Sequence, residues 1–352
     1  MKKELLIASA LVGSMGLAGV AEAATASFSG NVRNGVTGSD LDDTTTGSHS
    51  ASQQASLTFS VSETTDAGTA MSTGFNIMDE NASDVGAGSA SGLTLTFTDG
   101  SALNLIEAGN AATGRVAAVP GASGEQGITA VAASANAAPT AITWGSTSDN
   151  VGFTYTSAAD AMGVEGLTYG ISAAVGDDGD AAGSSSAESS YSVGATYVTT
   201  TGDTTLTIGG GFIQADDSNS TTVNDKTDVM MISATAVTGD LTVGAGYGSG
   251  SGVDAGAEEV DSASVMTAGA SYVSGDITFS VGMVDGEAKD AAAGSDGAGT
   301  DTYESISGSL DYVVAGGVTA TVGFTDVSAQ NEGVSQTANS GSSWYIGANI
   351  SF

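Results

Sequence analysis

From Ser27 onward the chain alternates apolar and polar residues with a period of two, in short segments separated by polar connections. Strands with one face against an apolar medium give that pattern. In the first segment Phe28, Val32 and Val36 share a face opposite Ser29, Asn31 and Arg33. In the second, Leu57, Phe59 and Val61 alternate with Ser56, Thr58 and Ser60. The series runs to Trp344, Ile346 and Ile350 and comprises sixteen segments. An even number of strands suits a barrel with both chain ends on one side. Parity predicts Tyr197, Tyr272, Phe279, Phe324 and Trp344 on the outer face, and Arg33, Ser60, Gly244 and Asp311 on the inner one.

One stretch breaks the pattern. Residues 106–140 show neither a period of 2 nor one of 3.6, and hold both prolines of the chain, Pro120 and Pro139. A structureless stretch of that length is uncommon in a compact domain unless it is functional or disordered. A closed barrel has no edge strand to tolerate proline. The stretch is therefore expected to be a third loop folded into the lumen.

The other connections alternate in length. Short ones carry hairpin residues: Asp99-Gly100, Gly202-Asp203, Gly239-Asp240, Gly275-Asp276 and Gly316-Gly317. Seven are long and polar, from Ser39–Ser50 to Asp326–Gly341. Short turns on one side and long loops on the other is the layout of an outer-membrane barrel. A recurrent unit supports it: Tyr197-Val198, Tyr272-Val273 and Tyr312-Val313 each precede a turn and a further strand, and place tyrosines at one membrane interface.

The amino-terminal stretch reads differently. Lys2 and Lys3, an apolar core from Leu5 to Val20, and Ala21-Glu22-Ala23 have the form of a secretory signal peptide over residues 1–23. The expected mature barrel spans 24–352. No other run reaches eighteen continuous apolar residues, so no helical membrane span is expected. The chain has no cysteine, so an exported form gains nothing from disulfides. Glycine, alanine, serine and threonine dominate, which suits a wall one sheet thick better than a two-sided core.

Charge narrows the function. There are 40 acidic and six basic residues. Loss of residues 1–23 leaves Arg33, Arg115, Lys226 and Lys289 against 38 carboxylates. So few cations cannot neutralise a phosphate backbone, which excludes nucleic acid. The seven long loops, with Asp228 and Glu304 at strand edges, hold 26 of the carboxylates.

Other candidate chemistries are weak. Val243–Gly252 has the glycine density of a phosphate loop, yet its glycines alternate on one strand face and no helix follows. Asp177-Asp178-Gly179-Asp180 lacks the remaining positions of a calcium loop, and reads as a solvated acidic loop with at most loose divalent binding shared with lipopolysaccharide phosphates. His49 is the lone histidine, in the first long loop, and makes no metal site. No nucleophile–base pair stands out. No enzyme activity, cofactor or metal is expected. Arg33 and Arg115 could reach one constriction facing Glu107 and Glu125, a transverse field that favours polar solutes.

The residues FSGNVRNGV (28–36), the strand–turn–strand GLTLTFTDGSALNLIEAGNAATG (92–114) and the terminal ISF resemble the general porins of Gram-negative bacteria, closest to the alphaproteobacterial ones. The resemblance implies an all-β, 16-stranded antiparallel barrel in the outer membrane, trimers, and passive diffusion of small hydrophilic solutes and cations past the third loop. The terminal Phe352 resembles the recognition signal of the barrel-assembly machinery, and outer-membrane lipid and lipopolysaccharide would surround the wall. The family also sets wall arginines opposite loop carboxylates, and here only Arg33 is placed on the wall. The competing expectation is an acidic structural or adhesive cell-surface β protein, such as a solenoid, which would show a strict short repeat.

Overall fold

The computed structural model describes residues 24–41, 49–81, 84–85, 90–105, 110–122, 151–175, 189–217, 225–253, 259–290, 300–330 and 338–352. The expected leader, residues 1–23, lies outside them. Sixteen wall strands follow in chain order. They are β1 (Thr25–Leu41), β2 (His49–Thr64), β3 (Ala70–Asn81), β4 (Ala90–Thr96), β5 (Ala102–Leu105) and β6 (Val151–Thr156). Next come β7 (Leu167–Val175), β8 (Ser189–Thr201), β9 (Thr204–Asp217), β10 (Asp225–Thr238) and β11 (Leu241–Val253). The last are β12 (Glu259–Ser274), β13 (Ile277–Asp290), β14 (Thr300–Ala315), β15 (Val318–Gln330) and β16 (Ala338–Ser351). A two-residue strand, Asp84–Val85, pairs back on the end of β3.

Each wall strand pairs antiparallel with its neighbours in sequence, and β1 pairs with both β2 and β16. The sheet thus closes on itself and has no free edge. At the seam the Phe352 N–H donates to the Gly30 carbonyl at 3.0 Å, and the Gly30 N–H donates to the Phe352 carbonyl at 3.1 Å. A solenoid, which would stack short repeats rather than close a sheet, is overturned by this topology.

The two faces differ as the alternation predicts. On β15 the outward Val322 and Phe324 are exposed, while Thr321 and Thr325 point inward and are buried. Tyr197, Tyr272, Phe279, Phe324 and Trp344 are all exposed, between 38 and 52 %. On β1–β3 the outward rings of Phe28, Phe59 and Phe75 form a cross-strand ladder with centroids 5.0 and 5.1 Å apart. Inside, Asp311 accepts a hydrogen bond from the Thr321 hydroxyl at 2.6 Å.

The tight turns at Gly202, Gly239 and Gly275 place glycine at φ 60, 57 and 61°, a left-handed conformation that an L side chain resists. Two further connections are longer than a two-residue hairpin and also use left-handed glycine, Gly68 at φ 84° in the first and Gly163 and Gly166 at φ 74 and 77° in the second. The residues between β2 and β3 close through a Thr65–Thr69 backbone bond. Between β6 and β7, Asp160 is itself left-handed, and its carboxylate accepts the Gly166 N–H at 2.7 Å.

The strands also run further toward the long connections than the apolar residues signal. β11 reaches Val253 and β13 reaches Asp290. Outward positions there are polar: Ser249 pairs with Ser264, which pairs with Glu287. Backbone pairing does not need apolar side chains once a strand has left the hydrocarbon. His49 is part of this difference. It opens β2 rather than sitting in a loop, with its ring 5.5 Å from that of Trp344.

Candidate functional site: the lumen wall and the segment laid on it

The described start of the long stretch, residues 110–122, lies against the inward face of the wall. Asn110 opens it with an Asx turn, its Oδ1 accepting the Ala112 N–H at 2.8 Å and the Thr113 N–H at 3.3 Å. A single turn of 3-10 helix, Thr113–Arg115, follows and ends in extended backbone at Val116. From there the segment runs on to Pro120, Gly121 and Ala122.

Wall hydroxyls hold it. Ser172 on β7 accepts the Ala111 N–H and Ser192 on β8 accepts the Ala112 N–H, both at 3.2 Å. Thr196 on β8 donates to the Arg115 carbonyl at 2.6 Å. On β10, Ser233 and Thr235 donate to the Ala117 and Ala118 carbonyls, each at 2.8 Å. A segment without secondary structure must have its backbone groups satisfied in some such way.

An apolar patch lies under the same segment. Ile213 and Val229 are fully buried, Met231 nearly so, and Ala112 is fully buried beside them, with Val116 packed on the cluster. By parity these wall residues face the lumen, where a water-filled channel would carry polar residues. A cavity of about 340 Å³ remains between segment and wall, lined in part by Val116, Val119, Met231 and Val265.

The four charged residues singled out in the sequence are not brought together by the described residues. Arg33 lies on the inward face of β1 and donates to Gln54 Oε1 on β2 at 2.9 Å. Arg115 lies in the segment, and its Nη1 reaches Thr168 Oγ1 on β7 at 3.3 Å. In a sixteen-stranded barrel β1 and β8 are seven strands apart, so the two arginines stand on opposite sides of the lumen. Glu107, Glu125 and Pro139 lie outside the described residues. Phe352 forms the seam with Gly30, its side chain exposed. Among the described residues no group of His, Cys, Asp or Glu could hold a metal ion.

Sequence reasoning missed the hydroxyls and the buried patch. The patch left a signal. Phe212-Ile213 and Val229 through Ile232 are apolar at both parities, where one face should have been polar. Such a break marks a lumen position covered by another part of the chain.

One ionisable group outside the wall is shifted. In the turn between β4 and β5, the Ser101 hydroxyl and N–H donate to Asp99 Oδ1 at 2.7 and 2.9 Å. The hydroxyl above all, and then the N–H, hold the Asp99 carboxyl below its ordinary value.

Comparison with curated protein sequences gives no match. Among solved structures, a mutant of the Rh. blastica porin superposes with a TM-score of 0.59 at 14 % identity, over 93 % of this chain and 100 % of that one. The anion-selective porin from Comamonas acidovorans gives 0.60 at 9 % identity, over 94 % and 100 %. A loop-deletion mutant of OmpT, an outer membrane protein of Vibrio cholerae, gives 0.58 at 13 %, over 94 % and 99 %. At these identities the likeness is one of fold. The model of the Gram-negative porin family matches residues 8–352. The chain belongs to that family, and is an outer-membrane diffusion channel with a closed sixteen-stranded wall.

Proposed function

We propose that residues 106–140 narrow the lumen and that the channel prefers cations. The observation that carries the first part is the docking of residues 110–122 on the inner wall through Ser172, Ser192, Thr196, Ser233 and Thr235. A chain so held at its start enters the space where solutes pass. The charge balance supports the second part. Four basic residues against 38 acidic ones in 24–352 make the mouths negative, which concentrates cations there. Salt screens such a field over about 10 Å at 0.1 M. The preference is therefore strongest in dilute salt. Arg33, Arg115, Glu107 and Glu125 supply the local field of the narrowest part, with the two arginines on opposing walls.

The remaining parts of the reading concern biogenesis and surroundings. Residues 1–23 direct export and are removed. Three copies assemble in the outer membrane among lipid and lipopolysaccharide, and Phe352 is read by the barrel-assembly machinery. The channel passes small hydrophilic solutes by diffusion and performs no catalysis.

The test is planar-bilayer recording on the purified full-length protein and on a variant lacking residues between Arg115 and Pro139. The deletion should raise single-channel conductance. Reversal potentials in a salt gradient should have the sign of cation preference and shrink as salt rises. An unchanged conductance after the deletion refutes the narrowing, and a reversal potential of opposite sign refutes the cation preference.

A further inference from the structure

The wall beneath residues 111–122 is floored with glycine in hydrogen-bond register. Gly170 on β7 pairs with Gly194 on β8, which pairs with Gly211 on β9. One rung along, Gly209 pairs with Ser233 on β10, which pairs with Gly246 on β11. One rung further, Gly244 pairs with Gly269 on β12, which pairs with Gly282 on β13. The row crosses seven adjacent strands, and the only one without a glycine, β10, supplies the hydroxyls of Ser233 and Thr235 instead.

At all of these glycines but Gly246, where a Cβ would meet the wall's own Thr267 and Ser233 first, the space a side chain would fill is taken by the segment. A Cβ on Gly209 would fall on the Arg115 carbonyl oxygen, and one on Gly269 on the Pro120 carbonyl oxygen. A Cβ on Gly211 would lie 2.5 Å from the Ala112 Cβ, one on Gly194 2.8 Å from the Arg115 Cβ, and one on Gly244 2.9 Å from the Pro120 Cδ. On Gly282 it would come to 3.0 Å from the Gly121 Cα. The glycines in the segment itself differ: a Cβ on Gly114 or Gly121 meets nothing within 4 Å. Glycine within a strand weakens it and commonly marks close approach of another backbone. A whole row of them in register with one occupant therefore has a single explanation.

We infer that this row is a track that sets how deep the segment lies against the wall, and so fixes the free cross-section of the pore. The glycines are positioning residues of the permeation path; they touch no solute. The inference rests on the reading that the segment narrows the lumen. It adds that the bore is set by side chains missing from the wall as well as by the segment's own residues.

The experiment records single-channel conductance of full-length Gly209→Ala, Gly269→Ala and Gly282→Ala, beside the deletion variant above. Folded barrel is measured in parallel by its heat-modifiable migration. A packed contact cannot absorb a methyl group, so the segment moves toward the axis and conductance falls by roughly a third at Gly209 and Gly269, and less at Gly282. Gly316→Ala, in the turn between β14 and β15 where a Cβ meets nothing within 4 Å, should leave conductance unchanged. Gly244→Ala should lower it, and adding Pro120→Ala, which removes the segment's Cδ though not the wall's Thr235 Oγ1 and Ala234 carbonyl oxygen at 3.0 and 3.1 Å, should restore part of it. A merely structural loss would lower the amount of folded barrel without that rescue. If Gly209→Ala or Gly269→Ala fails to fold, Gly282→Ala and the Gly244–Pro120 pair carry the test. Folded track variants with wild-type conductance overturn the track, whatever the deletion does. A deletion that leaves conductance unchanged overturns the narrowing itself, and the track's part in permeation with it.

Discussion

The two halves of the inner wall are built on opposite plans. From β7 to β13 the segment 110–122 lies on a wall of glycines, hydroxyls and the apolar patch of Ile213, Val229 and Met231. From β16 to β2 the wall keeps its own side chains: Asn31, Arg33, Gln54 and Asn349 point inward, and Tyr345 is fully buried. The Tyr345 ring lies where side chains on Gly35 and Gly347 would be, and its hydroxyl donates to the Asn34 carbonyl at 3.3 Å. Glycine serves both halves, for different partners. In one it makes room for a strip of chain, and in the other for a single ring. The comparison teaches that a glycine-rich strand in a barrel is read by what lies over it, a question that composition alone leaves open.

The largest expected effect is on the side-chain half. Tyr345→Ala empties a fully buried aromatic site, and losses of about 3–5 kcal/mol accompany such truncations. Unfolding in denaturant should shift strongly toward lower concentration, with single-channel conductance of the surviving barrels little changed. If conductance changes as much as in the track variants, the two halves do not have separate roles.

A smaller effect is expected on the glycine half. Ser233→Ala with Thr235→Ala removes two donors to the segment's carbonyls, each worth about 1 kcal/mol. The barrel should unfold somewhat more easily than the parent, though less so than Tyr345→Ala, while open-channel current noise rises as the segment loosens. Quiet channels would mean that contact with the glycine row alone suffices to hold it.

The local field across the lumen is tested by Arg33→Gln. It removes the positive charge facing the segment from across the lumen, so cation preference, read from reversal potentials in dilute salt, should rise modestly. No change would place Arg33 outside the path of ions.

The smallest effect belongs to the turn before the long stretch. The Asp99 carboxyl is held below its ordinary value when folded. Its contribution to stability is then present above the ordinary value and lost as pH falls through the folded one. Asp99→Asn should therefore unfold slightly more easily than the parent at neutral pH, and the difference should vanish in strong acid.

The strands were legible because one medium acts on one whole face. Phe279, Phe324 and Trp344 meet lipid, and parity finds them without further information. The lumen is harder to read because two media meet there, water and the segment. Ile213, Val229 and Met231 are apolar for the segment's sake, which strand periodicity cannot distinguish from an irregularity. Gly244 is placed inward by parity, yet its lack of a side chain makes sense only beside Pro120. The hydroxyls of Ser192 and Ser233 look like any polar wall residue until the backbone groups they meet are known. Glu107 and Glu125 belong to residues the structure does not describe, so their part in the site stays a proposal.

The seam between β1 and β16 has a kinetic consequence. Almost every other pairing joins strands that are consecutive in the chain. Gly30 and Phe352 are about 320 residues apart, and closing a flexible loop of that length costs on the order of 5 kcal/mol in chain entropy. The hairpins can form early and locally, whereas closure has to wait for a sheet already curled enough to bring its first and last strands together. Until then both strands present unpaired edges, which are templates for pairing with other chains. Closure is thus the step at which an assembly catalyst would help most, and the step at which an unassisted chain would be lost to aggregation.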